Sequence, residues 1–310
     1  MSKSVLVIGG TYFYGRVFTM LAAREAGFSL TLLNRGRYSM SHLPNVTEYR
    51  CDRHDAAALR AIPAGHYDAI VDFCGYAPGD IRLLAENLPC TAEEYIFIST
   101  ADVYERGLPT PPDESAPLMR ERLPGPVGDY LWGKVQLERE LAEVCAAKQM
   151  KYTIFRPSFL YGPYNYAPRE LFFFEKIVRG EAVPFPTDAD GKFQFVYVKD
   201  AALALIAAIN TPASAPRFFN LAAPEVFGYP AYYDALRAVC DLPVKTEPVT
   251  VEAVIARNIA LPFPLTAAEN ECFDGGKVSR ELGLRYTPLS DGLEKAYQAM
   301  KSFLTEAKQR

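Results

Sequence analysis

"VLVIGGTYFYG", residues Val5 to Gly15, decides the fold. Val5 to Ile8 are apolar without alternation, which predicts a strand buried on both faces. Gly9 and Gly10 make a tight turn, and Gly15 lets the following element approach the strand. "GRVFTMLAAREAG" then has helical periodicity and a stop at Gly27, expected as its C-cap residue. Where a strand turns into a helix, unpaired N–H groups and the positive end of the helix dipole attract a pyrophosphate. The candidate phosphate-side residues are therefore Gly9, Thr11, Tyr12, Phe13 and Gly15. Tyr12 stands where a dinucleotide fingerprint has its middle glycine, so the fingerprint is incomplete.

Outward from this stretch, strand and helix patterns alternate. Strands are expected in "SLTLLN", "VTEYRCD", "HYDAIVDFCG", "EEYIFISTADVY" and "KYTIFRPSFLYG". Helices are expected from about Pro78 to Leu88, and from Tyr130 to about Met150. The alternation predicts an α/β fold, a Rossmann-like doubly wound parallel sheet covered on both faces. After about residue 160 the chain becomes rich in Pro and aromatics, with helices returning at about 199–210, 229–240 and 289–306. Residues 1–160 are read as the dinucleotide-binding domain. Residues 161–310 are read mainly as a smaller substrate lobe, partly interleaved with the sheet.

Composition narrows the function. The 310 residues are 49% hydrophobic and 23% charged, with a net charge of -4, which argues against a polyanion such as nucleic acid as the partner. Six scattered Cys without a CxxC, and three His (42, 54, 66) without ligand spacing, fit a reducing cytoplasm and argue against disulfides or a metal site. No apolar run is long enough to span a bilayer, and no leader pattern precedes the first strand, so a cytoplasmic protein is expected.

At the end of the second strand, where an acidic residue would hold a ribose 2′-OH, the chain reads "LLNRGR". Asn34 can bond a hydroxyl, while Arg35 and Arg37 offer a clamp for a 2′-phosphate, which favours NADP with NAD as the alternative. "GDYLWGKVQLE" then sets Tyr130 and Lys134 four apart on one helix face. An ammonium beside a phenol lowers its pKa toward neutrality, as proton transfer by Tyr requires. With 19 Tyr and 12 Lys, chance supplies about one such pair, so context must decide. Tyr130 follows a strand that ends near Ser99 and Thr100. The second pair, Tyr297 and Lys301, has no such setting and reads as a packed aromatic with a surface lysine.

Gly9–Gly10…Gly15, Asp52 in "CDRHD", "STADVY", "YLWGK", "RPSFLYGP", "FVYVKDAA" and "KVSRELGL" occur in family order along most of the chain. On these residues the sequence resembles the extended short-chain dehydrogenase/reductases, in their NAD-dependent epimerase/dehydratase branch. "NRG" and "QFVYVKD" are similar to the subgroup that includes chloroplast stem-loop-binding proteins. The resemblance implies hydride transfer at a substrate carbinol or carbonyl. Thr100 would position a substrate oxygen, Tyr130 would act as acid/base, and Lys134 would modulate it and bind the cofactor ribose. It further implies Asp52 and Arg53 beside the adenine, with Phe73, Cys74 and Gly75 lining the cofactor. Ser99 and Pro157 complete the expected cofactor residues.

Two departures bear on substrate. An Arg that grips a sugar-nucleotide diphosphate is expected two residues before Phe195, where Phe193 stands, and "AAENECFD" lacks a second one. Both absences argue against a nucleotide-sugar substrate and for another small molecule. Asp102 stands where related dehydratases carry a catalytic Glu; it is a candidate second acid/base or, more plainly, a turn residue. A non-catalytic nucleotide-sensing or RNA-associated scaffold on the same fold is the alternative reading. A homodimer through the helices at 78–88 and 130–150 is compatible with the sequence.

Overall fold

The computed structural model describes residues 2–108 and 111–308, with side chains to residue 302. The first half runs β1 (Lys3–Ile8), α1 (Phe13–Ala22), β2 (Phe28–Asn34), β3 (Val46–Arg50), α2 (Ala56–Arg60) and β4 (Gly65–Asp72). It continues through α3 (Asp80–Asn87), β5 (Cys90–Ile98), a 3-10 turn (Ala101–Val103), α4 (Gly125–Lys148) and β6 (Lys151–Pro157). The second half begins with β7 (Phe159–Tyr161), α5 (Glu170–Arg179), β8 (Val183–Pro186), β9 (Phe195–Tyr197) and α6 (Val198–Asn210). It ends with β10 (Arg217–Leu221), α7 (Tyr229–Val239), β11 (Thr246–Val249), α8 (Val251–Ala256), α9 (Gly276–Leu282) and α10 (Leu289–Lys308).

Seven strands form one parallel sheet in the order β10-β6-β5-β4-β1-β2-β3. Successive side chains of β1 point to opposite faces. Val5 and Val7 join the core that contains Phe18 of α1 and Leu205 of α6. Leu6 and Ile8 join the opposite core with Leu59 of α2, Leu84 of α3 and Leu137 of α4. Each such fully buried side chain stabilises the fold by about 1.5–3 kcal/mol, so an unbroken apolar strand is what a two-sided sheet demands. The chain winds from β1 toward β3, then from β4 toward β6, and the crevice at the carboxyl ends of β1 and β4 is where such sheets bind ligands.

The second half is interleaved with the sheet: β10 pairs with β6, and α6 packs against α1. Its aromatics continue the core on the α1/α6 face, with Phe193 stacked on Phe263 at 4.6 Å and Phe263 edge-on to Phe195 at 5.1 Å.

Several boundaries differ from the sequence reading. α1 ends at Ala22, because Arg24 and Glu25 bond back only three residues and unwind the helix; Gly27 (φ 101°) serves the turn into β2 instead. α4 begins at Gly125, with Pro in its first turn, so Tyr130 lies inside the helix rather than opening it. β5 stops at Ile98, and Thr100 caps the 3-10 turn that follows. "KYTIFRPSFLYG" is two strands: Pro157 cannot donate a ladder hydrogen bond, β6 ends there, and β7 pairs with β9. α2, α5, α8 and α9 were not expected from the sequence.

Candidate functional site

A cleft of about 600 Å³ opens at the carboxyl ends of β1, β4 and β5. Gly9, Thr11, Tyr12, Phe13 and Gly15 form one wall. Gly9 has φ 83°, and a Cβ there would lie 2.0 Å from Cys74 Sγ; at Gly15 it would lie 2.4 Å from the Gly9 carbonyl. These two glycines are sterically required. α1 starts at this wall with no acidic residue in its first turn and no side-chain cap, so its positive end faces the cleft uncompensated. The cradle fits a dinucleotide diphosphate.

Tyr12 needs no glycine geometry, since its backbone is extended (φ -135°, ψ 139°). Its ring stacks on Tyr38 at 5.6 Å and on Tyr166 at 4.8 Å. Phe13 takes φ 38° with its ring buried and edge-on to Tyr166. The glycine turn is thereby packed against the loop that leads into α5.

Asn34, Arg35 and Arg37 line the far end of the cleft. The Asn34 carboxamide oxygen accepts from the Gly36 N–H at 2.7 Å, while the two Arg are exposed. Asp52 and Arg53 lie beside them. The His54 N–H lowers the Asp52 carboxyl below its ordinary range. Arg53 is committed to the fold: it bonds both oxygens of buried Asp72 at 2.9 and 3.1 Å and the Asp80 carbonyl at 2.8 Å. Phe73 and Cys74 line the floor, and burial pushes the Cys74 thiol up to about 11.

Ser99, Thr100, Tyr130, Lys134 and Pro157 line the opposite end. α4 reaches the sheet here because Gly133 passes under the Tyr76 carbonyl, where a Cβ would lie 2.8 Å away. Lys134 is buried and donates to the carbonyls of Gly75 at 2.7 Å and Ile98 at 2.8 Å. Burial lowers its pKa to about 8. The Tyr130 ring is 41% exposed toward the cleft. Surrounding protein nonetheless desolvates its hydroxyl and pushes it up to about 12, with Arg169 pulling the other way. The expected drop toward neutrality is thus not present: the Lys134 ammonium stands over the ring face, 5.8 Å from its centroid. Tyr297, the other candidate, is buried against Phe174 and donates to Asp241 at 2.7 Å, as its structural reading required.

Gly75 and Asp102 are not lining residues. Gly75 acts through its carbonyl. Asp102 makes a two-bonded pair with Arg106 at 2.6 and 3.0 Å, and its N–H faces Thr100 Oγ1 at 3.4 Å. Sequence reasoning missed Tyr38, Tyr76, Ser158, Tyr166 and Arg169, all in the cleft wall. Ser158 follows Pro157 directly and was the most legible of them. Its hydroxyl and that of Ser99 are buried and have no hydrogen-bond partner among the described residues.

The profile of the NAD dependent epimerase/dehydratase family matches residues 5–222. The chain belongs to this family. It is 26% identical over 252 residues to the chloroplast stem-loop binding protein of 41 kDa b of Arabidopsis thaliana, a match covering 77% of this chain and 62% of that protein. The chain therefore spans less than two thirds of that relative's length. Among solved structures, UDP-glucose 4-epimerase of Thermotoga maritima with UDP-glucose superposes with a TM-score of 0.72 at 20% identity, covering 97% of this chain and 99% of that one. The UDP-glucose 4-epimerase of Thermus thermophilus in complex with NAD gives 0.72 at 19% identity, covering 96% and 99%. At such identities these family members share the fold. Among the described residues no helix is long and apolar enough to cross a membrane.

Proposed function

We propose that this protein is a nicotinamide-dinucleotide-dependent oxidoreductase or isomerase of the epimerase/dehydratase kind, acting on a carbinol or carbonyl of a small molecule. One observation carries the reading: the glycine cradle and the Tyr130–Lys134 pair line the same cleft. Gly9, Gly15 and the start of α1 would hold the diphosphate, and Arg35 and Arg37 favour NADP over NAD. When bound, the nicotinamide supplies or accepts the hydride. Thr100 orients the substrate oxygen, and Tyr130 exchanges its proton. Desolvation raises its phenol, so Tyr130 holds that proton at neutral pH until the reaction draws on it. Lys134, fixed by two carbonyls, keeps a cationic amine below the ring.

A typical nucleotide sugar fits poorly. Phe193 is fully buried in the aromatic core, so nothing at that position grips a diphosphate. We place it in a reducing, cytoplasmic setting, on the scattered spacing of its six Cys. Tyr12, in the place of the middle glycine, favours a second reading in which the nucleotide is held without turnover.

The test is to denature purified protein, analyse the released small molecules by mass spectrometry, and titrate the apo protein with NADPH and NADH. Retained NAD supports an epimerase or dehydratase and removes the role given to Arg35 and Arg37. Exchangeable NADPH supports a reductase and leads to a carbonyl-substrate screen with Tyr130→Phe as the inactive control. Nucleotide binding with no turnover in that screen supports the second reading, and no binding of either nucleotide ends both.

A further inference from the structure

Arg169 is the cation at the substrate end of the cleft. The other cleft cations are accounted for: Arg53 pairs with Asp72, Lys134 bonds two carbonyls, and Arg35 and Arg37 sit at the nucleotide end. Arg169 spends one N–H on the Leu160 carbonyl at 2.9 Å, and its guanidinium lies over the Phe159 ring at 5.2 Å. Among the described residues no carboxylate comes within ion-pair distance of it.

The acids around it are engaged elsewhere. Asp102 is held by Arg106 through both oxygens. Glu170, the next residue, accepts from the Gly162 N–H at 2.9 Å and from Asn165 Nδ2 at 2.8 and 2.9 Å. Burial and the Asp102 charge raise the Glu271 carboxyl above its ordinary range. Arg169 therefore stands in the cleft wall beside Tyr130 with no ion-pair partner among the described residues, while Glu170 and Glu271 feel its charge from further off. A planar guanidinium with N–H groups left over and a nearby phenol together suit one kind of ligand, a compact oxyanion.

We infer that the substrate carries a carboxylate or phosphate group close to its reacting carbon, and that Arg169 binds it beside Tyr130. The inference rests on the proposed reading of Tyr130 and gives its substrate a chemical class. It makes Arg169 a specificity-determining residue, and the substrate a small acid or phosphate ester rather than a neutral sugar or ketone.

Phenylglyoxal labelling of wild-type protein, quantified at the Arg169 peptide by mass spectrometry, tests it without a mutant. Labelling is run with and without saturating NADPH or NAD, in the presence of malonate, inorganic phosphate or neutral malonamide. At ten times its Kd a bound anion slows Arg169 labelling about tenfold. Protection by malonate alone identifies a carboxylate site, by phosphate alone a phosphate site, and by either a general oxyanion site. Equal labelling under all conditions overturns the inference, as does equal protection by malonamide, which would reflect shape rather than charge. Nucleotide binding is measured separately, so its failure marks against the proposed function while anion protection remains readable in the apo protein.

Discussion

The Lys134 ammonium lies over the face of the Tyr130 ring and directs its hydrogen bonds to the carbonyls of Gly75 and Ile98, not to the phenol. Its ionisation is consequently linked to folding. Burial lowers its pKa from 10.5 to about 8. Between those values the unfolded chain binds the extra proton, so this lysine makes stability rise with pH. Below about pH 8 both states are protonated, and the full desolvation cost is present. Other groups titrate in the same range, so the readout is the difference between wild type and Lys134→Met. Urea midpoints from pH 7 to 10 should show wild type gaining on the variant as pH rises. A constant difference would mean Lys134 titrates normally.

The sheet was legible because burial on both faces leaves an unbroken apolar run at β1, and the glycine turn because Gly9 and Gly15 admit no Cβ. Tyr130 and Lys134 were legible through their i, i+4 spacing within a strand–helix context. The environment of Tyr130 was not. Its raised pKa comes first from desolvation by the protein packed around it, and its neighbours Arg169, Tyr166 and Asp102 all lie far from it in sequence. Arg169 and Tyr166 were hidden for a related reason. They belong to an irregular, Pro-rich loop that reaches the cleft only because β7 leaves the main sheet to pair with β9.

Glu138 and Arg156 form a buried two-bonded pair at 2.6 and 3.0 Å that ties α4 to β6. Arg156 also donates to Tyr104 at 2.9 Å, and Tyr104 donates to Asn220 at 2.6 Å, anchoring the turn that carries Thr100. Glu138→Ala strands a buried guanidinium and should cost about 3–5 kcal/mol in urea unfolding. Tyr104→Phe should cost about 1–3 kcal/mol by leaving its partners unsatisfied. Near-wild-type midpoints for both would show that the network is not what holds this turn.

Gly15→Ala places a methyl 2.4 Å from the Gly9 carbonyl. The backbone must yield, at a cost of about 1–3 kcal/mol. Because the displaced carbonyl belongs to the turn proposed to hold the diphosphate, nucleotide affinity should fall further than stability does. Calorimetric titration with NADPH and NADH, set against thermal unfolding, checks the two separately. Unchanged affinity in a folded variant would move the diphosphate away from this turn.

Tyr12 should behave differently from a misplaced residue, because its backbone is extended and its ring has two partners. Its stack on Tyr166 joins the nucleotide turn to the substrate-side loop. An aromatic pair of this kind contributes about 0.5–1.5 kcal/mol beyond its buried area. Tyr12→Ala and Tyr166→Ala should each fold, and the double variant should be more stable than additivity predicts by about that amount. If the stack also lies across the path of a bound dinucleotide, each single variant should release nucleotide faster, with association changed less. Stopped-flow displacement of bound NADPH reads this directly. Additive unfolding energies would dissolve the stack as an energetic unit, and an unchanged release rate in both variants would leave it as a purely structural contact between the two loops.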